Sequence, residues 1–183
     1  MSDREWSQSL AERPFAQRVV VLTGALDDVT ATRVSAELMT LDAEGDDAVT
    51  LRIDCAEGSL ALALTLMDVI ELSGVPVHAL CMGQVGGPAL GVLSVCHHRA
   101  AMPSTRFSWR EPTTRFEATA RGAEQWAHLR AEERRRFTER LAAAISQAPD
   151  AVAEAFDRGI FMGAEEASDF GLIDEICRPL SRG

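Results

Sequence analysis

The chain has 183 residues, 46% of them hydrophobic, which is enough for one domain with a buried core. Its formal net charge of −10 argues against a nucleic-acid partner, because nucleic-acid surfaces need clustered positive charge. All 18 basic residues are arginine, which excludes Ser/Lys dyads and lysine Schiff bases. With no signal-like N-terminus and no long apolar stretch, we expect a cytoplasmic protein that does not span a membrane.

The first part of the chain predicts strands that alternate with helices. Short β-branched or alternating runs are each followed by a segment with apolar residues at helical spacing. This order is typical of a largely parallel sheet with helices packed on it. The predicted elements are a strand at 18–24, a helix opened by Asp27, a strand at 49–53, a turn at 54–58, a helix reaching Ile70 and a strand at 77–82.

The segment Met82–Val92, MGQVGGPALGV, has the layout of a turn that carries a catalytic nucleophile. A strand leads in, glycines form the bend, and a small apolar helix leads out, with Pro88 in the first turn where proline is tolerated. The segment contains no serine, cysteine or threonine. The turn is therefore predicted without its nucleophile.

A long charged helix is predicted from 117 to 147, after strands near 99–102 and 106–109, and Gly122 is a point where it could be interrupted. At this length it would extend about 45 Å, so we expect it to project from the domain. Its apolar stripe would then need a partner chain to cover it. The stripe consists of Trp126, Leu129, Phe137, Leu141 and Ile145. Two short helices, from Ala151 and from Ala164 to Gly171, and a strand at 172–176 complete the chain.

The four cysteines are widely spaced and form no C-x-x-C pair, so we expect reduced and mostly buried thiols. The run Cys96-His97-His98 raises the question of a metal. Adjacent side chains on a helix point about 100° apart and chelate one ion poorly. We therefore expect neither a metal nor another cofactor.

Five segments, taken in order, resemble ClpP, the proteolytic subunit of the Clp protease, over about residues 17–177. The resemblance implies an α/β, crotonase-like fold of repeated β-α units, with the long helix as a projecting handle at about 113–148. It divides the chain into an N-terminal segment, 1–17, and one domain, 18–183. The segments are RVVVLTGALDD, LRIDCAEGS, CMGQVGGPA, TRFSWREP and FMGAEEASDFGLIDEI.

The same resemblance implies that the catalytic machinery is lost. The positions of the family's serine, histidine and aspartate correspond to Gly87, Arg110 and Gly159. Glycine offers no nucleophile, and arginine does not deprotonate in the working range. The two oxyanion-hole donors correspond to Gly58 and Pro88, and proline has no N–H. The resemblance thus implies a degenerate, ClpR-like pseudoprotease with no catalytic residue.

Partners also follow from the resemblance, which implies heptameric rings formed with itself or with ClpP paralogues and stacked through the handle helices. Arg106 and Arg158 match positions of inter-ring ionic contacts. A Clp ATPase unfoldase is the family's further partner. Direct docking is not expected here, because the chain has no tyrosine, few residues precede Val19, and the docking positions hold Thr50 and Arg52.

Two other functions stay open. Ser94 and His97 are three residues apart on one predicted helix, which would bring them close in an active ATP-dependent serine endopeptidase with a rearranged site. Asp157 stands two residues before Gly159, but no second acidic partner is evident. The stretch PVHALCMGQVGGPALG also resembles the glycine-rich turn of crotonase-type acyl-CoA enzymes. Pro88 and the ClpP-like C-terminal motif argue against a crotonase-type enzyme.

Charged residues are expected to cluster at the vacated site. Glu57, Arg110 and Glu111 would come together there if the resemblance holds. They would either form a salt bridge or recognise a carboxylate or peptide end.

Overall fold

The computed structural model describes residues 15–110 and 120–178, which form two sheets surrounded by helices. The strands are β1 (Val19–Leu26), β2 (Val49–Gly58), β3 (Val77–Cys81), β4 (Gln84–Gly86), β5 (His98–Ala101), β6 (Arg106–Ser108), β7 (Phe161–Met162) and β8 (Glu175–Ile176). The helices are α1 (Asp28–Glu44), α2 (Leu60–Leu72), α3 (Pro88–Ser94), α4 (Ala120–Ala144), α5 (Pro149–Arg158) and α6 (Ala164–Asp169).

The larger sheet has the strand order β1-β2-β3-β5-β8, and every neighbouring pair is parallel. The α/β fold predicted from the alternating pattern is confirmed. The predicted turn at 54–58 is wrong, because β2 continues to Gly58. Its acidic and small residues resemble a turn sequence, but their backbone pairs with the end of β1, with one register shift between Gly24 and Ala25.

Helix α1 begins as predicted. The side chain of Asp27 accepts a hydrogen bond from the backbone N–H of Thr30 at 2.8 Å, which satisfies one of the free donors of the first turn. The apolar positions Val34, Leu38 and Leu41 are buried against the sheet. The apolar face of α1 therefore determines which side of the helix packs against the sheet.

The smaller sheet has the order β4-β6-β7, with β4 parallel and β7 antiparallel to β6. It places the glycine-rich turn after β4 beside the residues that follow β6. Distant parts of the sequence therefore meet at the ends of these short strands.

Helix α4 continues through Gly122 and has 25 residues, which gives a length of about 37 Å. We expected the apolar stripe of this helix to be exposed until a partner chain covers it. This is wrong for Phe137, Leu141 and Ile145, which are buried in the core of their own chain. Phe137 packs closely on α3, where a β-carbon on Gly91 would lie 2.3 Å from its Cε2. Leu129, by contrast, is 53% exposed.

The cysteines are free thiols, as expected, and Cys55, Cys81 and Cys96 are buried. Burial raises the pKa of Cys96 to about 12, so this thiol is protonated at neutral pH. Within residues 15–110 and 120–178, no helix combines the length and apolar character needed to cross a membrane.

Candidate active site

The turn between β4 and α3 keeps the backbone of a nucleophile-bearing bend. Gly87 has φ 51° and ψ −123°, a conformation that residues with a β-carbon rarely adopt. Its N–H donates to the carbonyl of Ser108 at 3.0 Å, and its own carbonyl accepts from the N–H of Leu90 at 3.2 Å. Such strand-to-helix turns present a nucleophilic side chain at their apex. Here the apex has no side chain.

Two further sequence-predicted positions lie close to Gly87. A β-carbon on Gly87 would be 3.1 Å from the main-chain oxygen of Arg110. The N–H of Trp109, just before Arg110, donates to the carbonyl of Ile160 at 2.9 Å, and Ile160 directly follows Gly159. The fold thus brings the three positions that the resemblance assigns to the triad onto neighbouring backbone segments.

The two positions predicted to form an oxyanion hole, Gly58 and Pro88, differ in what they can donate. Pro88 is the first residue of α3 and has no N–H to donate. Gly58 ends β2 and lines the groove beside this turn. At least one of the two expected donors is therefore missing.

A groove of about 920 Å³ opens next to the turn, between the ends of β1 and β2 and the start of α4. It brings together Gly58 and Arg110 with Trp126, which was predicted only as part of the oligomerisation stripe. No histidine of the described chain lines it. The polar, charged and aromatic side chains in its lining include Asp27, Glu57, Gln84, Ser108, Arg110 and Trp126.

Arg110 lies over an aromatic ring. Its guanidinium carbon is 5.1 Å from the ring centroid of Phe161, whose backbone pairs with Ser108 across the β6–β7 ladder. In the described part of the chain no ion pair joins Arg110 to Glu57. The salt bridge expected between these two residues is therefore not formed. Glu111 lies outside the described residues. The sequence did not predict a role for Phe161 in this site, because Phe161 and Arg110 are far apart along the chain.

The rearranged triad is not assembled. The hydroxyl of Ser94 donates to the carbonyl of Gly91 at 2.8 Å, whereas Nδ1 of His97 accepts from the N–H of Val77 at 3.2 Å. Asp157 pairs with Arg134 on another face. Because each of these side chains has a different partner, Ser94, His97 and Asp157 do not form a triad with one another.

The Cys96-His97-His98 run also diverges. The thiol of Cys96 donates to the carbonyl of Val92 at 3.4 Å, and Nε2 of His98 lies 3.1 Å from Oε2 of Glu175. No group of three or more His, Cys, Asp or Glu side chains with metal-binding geometry occurs in ranges 15–110 and 120–178.

The remaining assembly positions lie on the surface or near it. Arg106 is exposed on β6, and Arg158 pairs with Glu154 at 3.4 Å within α5. Trp126 is half-buried, with the guanidinium of Arg130 5.4 Å from its ring centroid, and Leu129 is exposed. Contacts of these residues with a second subunit stay predictions.

Comparison with known families gives one match that spans nearly the whole chain. The Clp protease family model matches residues 2–179. This range includes the glycine-rich turn, the groove and the long helix α4. The fold agrees with the match, since parallel strands joined by helices carry the site.

Proposed function

The chain belongs to the Clp protease family, and from this premise we propose that it is a non-catalytic, ClpR-type subunit of a ring assembly. One observation carries the proposal. The turn that should hold the nucleophile has the required backbone, yet the residue at its apex is Gly87. The subunit would keep the architecture of a peptidase without its reaction.

The chemistry of amide hydrolysis supports this proposal. The reaction needs an activated nucleophile, a base that exchanges a proton near neutral pH, and donors for the oxyanion. Arg110 stands where the base should be, and a guanidinium stays protonated. Pro88 withholds an N–H that, where present, lowers the barrier by about 2.7 to 4 kcal/mol. The nucleophile, the base and one oxyanion donor would each be missing. Restoring any one of them alone would therefore not restore hydrolysis.

The proposed role is structural, in heptameric rings formed with copies of itself or with ClpP paralogues in the cytoplasm. The face of α4 that carries the exposed Leu129 and the half-buried Trp126 is the surface we assign to ring stacking. Ionic contacts through Arg106 and Arg158 would add little, since exposed pairs contribute about 0 to 1 kcal/mol. A Clp ATPase would then dock mainly on the paralogous subunits.

Peptidase assays and a serine-reactive fluorophosphonate probe test the loss of activity. We expect no hydrolysis of fluorogenic peptides above buffer and no labelling of the purified chain. Ser94→Ala is the matched control, because it removes the hydroxyl that would serve as the nucleophile of a rearranged site. Turnover that persists through repurification and disappears in Ser94→Ala would overturn the proposal.

Native mass spectrometry tests the assembly role. The chain is mixed with an active ClpP paralogue from the same genome, and rings that contain both subunits are expected. Peptidase activity per ring should then fall in proportion to the share of this subunit. A chain that stays monomeric at tens of micromolar, with and without the paralogue, would contradict the proposal.

A further inference from the structure

The groove beside Gly87 keeps room for a ligand although the reaction is lost. At about 920 Å³ it is larger than a single ion needs, and its lining is polar and charged as well as apolar. The position of the catalytic base now holds Arg110, which also lines the groove. A protonatable base has thus been replaced by a permanent cation.

The environment of Arg110 suits recognition of a carboxylate. The ring of Phe161, 5.1 Å from the guanidinium carbon, stabilises the charge and supports the planar group. A guanidinium supported in this way can still use the N–H groups along its edge, which match the two oxygens of a carboxylate. None of the described carboxylates forms an ion pair with Arg110, so its pairing capacity is available to a ligand.

Other groups of the groove can complete the site. Nε2 of Gln84 lies 3.4 Å from the hydroxyl oxygen of Ser108, which places an amide and a hydroxyl on the same wall as Arg110. Arg130 also lines the groove, but it pairs with Glu133 at 3.3 Å. Arg110 is therefore the main anchor for an anion.

The opposite charge also occurs in the lining. Asp27, Asp28 and Glu57 face the same groove, where they outnumber the two arginines. This balance disfavours a compact dianion such as phosphate. It favours a single carboxylate joined to a neutral or basic remainder, which is the chemistry of a peptide C-terminus.

We propose that the groove binds peptides by their C-terminal carboxylate, with Arg110 as the bidentate partner of that group. The inference deepens the proposed function, because a site that hydrolysed its peptide would not retain it. Bound peptide would occupy the position of the lost active site. The acidic lining would select a basic side chain upstream of the terminus.

Fluorescence anisotropy tests the proposal with one fluorescein-labelled hexapeptide that contains a single arginine. The peptide is used as the free acid and as the C-terminal amide, which differ only in the group that Arg110 should recognise. We expect the free acid to bind about tenfold to a hundredfold more tightly, the range for a hydrogen-bonded charge pair.

Variants of Arg110 and Arg52 test whether Arg110 is the residue that prefers the free acid to the amide. Arg110→Gln should abolish the difference between acid and amide. Arg52→Gln should leave the difference intact, because Arg52 is an exposed cation on β2 that does not line the groove. Circular dichroism of both variants checks that the fold is kept, and Arg110→Lys, which keeps the charge but not the fork, should bind with intermediate affinity.

Three outcomes would overturn the inference: equal binding of acid and amide, a preference that survives Arg110→Gln, or stronger displacement by inorganic phosphate than by acetate. Mass spectrometry of the peptide after each titration keeps this test separate from the proposed function. Intact peptide without binding would contradict the carboxylate site alone. Cleaved peptide would instead contradict the loss of catalysis.

Discussion

The main-chain oxygen of Arg110 lies 3.1 Å from where a β-carbon on Gly87 would be, and the oxygen of Ala56 lies 3.3 Å from the same point. Any side chain at the apex of the turn would press on two backbone segments. Gly87 also has a positive φ, so a substitution there is strained irrespective of the space. Glycine is therefore the residue that this turn accommodates without strain.

Gly87→Ser is expected to restore no peptidase activity and to lower the free energy of unfolding by about 1 to 3 kcal/mol, the cost of a residue in a sparsely populated conformation. Fluorogenic peptide turnover and urea denaturation measure the two effects. Gly159→Asn is the matched control, because Gly159 has a left-handed conformation that asparagine tolerates and nothing lies within 4 Å of its β-carbon position. Robust turnover by Gly87→Ser alone would show that the base is not at Arg110.

Rebuilding the triad by Gly87→Ser, Arg110→His and Gly159→Asp is expected to give weak activity at most. Adding Pro88→Met supplies the missing N–H and should raise kcat by roughly 10²- to 10³-fold, the usual effect of one oxyanion donor. Single-turnover kinetics on the triple and quadruple variants measure this ratio. Equal rates in the two variants would mean that Pro88 does not limit the chemistry.

Two leucines on α4 should respond in opposite ways. Leu141 is buried, so Leu141→Ala should lower the free energy of unfolding by about 2 to 5 kcal/mol, and Leu141→Asp should unfold the chain. Leu129→Asp should change stability by less than about 0.5 kcal/mol but reduce the assembled species seen by light scattering. Leu72→Asp, at an 85% exposed position on α2, is the control. Unaltered assembly in Leu129→Asp would remove this face from the interface.

Gly91→Ala should destabilise the chain by about 1 to 3 kcal/mol through overpacking. Its added carbon would lie 2.3 Å from Cε2 of Phe137 and 2.9 Å from Sδ of Met67. The smaller side chain in Phe137→Leu should recover part of this loss in the double variant. Denaturation of all four members of the cycle gives the coupling, and strictly additive effects would show that the two residues do not contact.

Stability should depend on acid pH through Asp174. Hydrogen bonds from the Arg99 side chain hold the pKa of this carboxyl below its ordinary value of 3.8. A depressed folded-state pKa stabilises the fold above that ordinary value, and the contribution is lost as the pH falls through the folded pKa. Asp174→Asn should therefore lower the urea midpoint at neutral pH, with a difference from wild type that shrinks in acid. Asp46→Asn is the exposed control, and a pH-independent difference would contradict the expectation.

The sequence by itself determined the β-α order, the capping of α1 by Asp27 and the absence of a nucleophilic side chain at Gly87. These features depend on local periodicity, capping chemistry and residue identity, which are readable without knowing what lies opposite. The predicted loss of catalysis depends on the same kind of information, because no fold can provide glycine with a hydroxyl.

The tertiary structure alone decided which surfaces are covered and which side chains meet. Periodicity placed Phe137, Leu141 and Leu129 on one stripe, but it could not show that the first two are buried in the core while Leu129 is exposed. Spacing put Ser94 near His97, yet the hydroxyl of Ser94 donates to Gly91 within its own helix and His97 accepts from Val77. The contact of Arg110 with Phe161 depends on the pairing of β6 with β7, which a linear pattern does not encode.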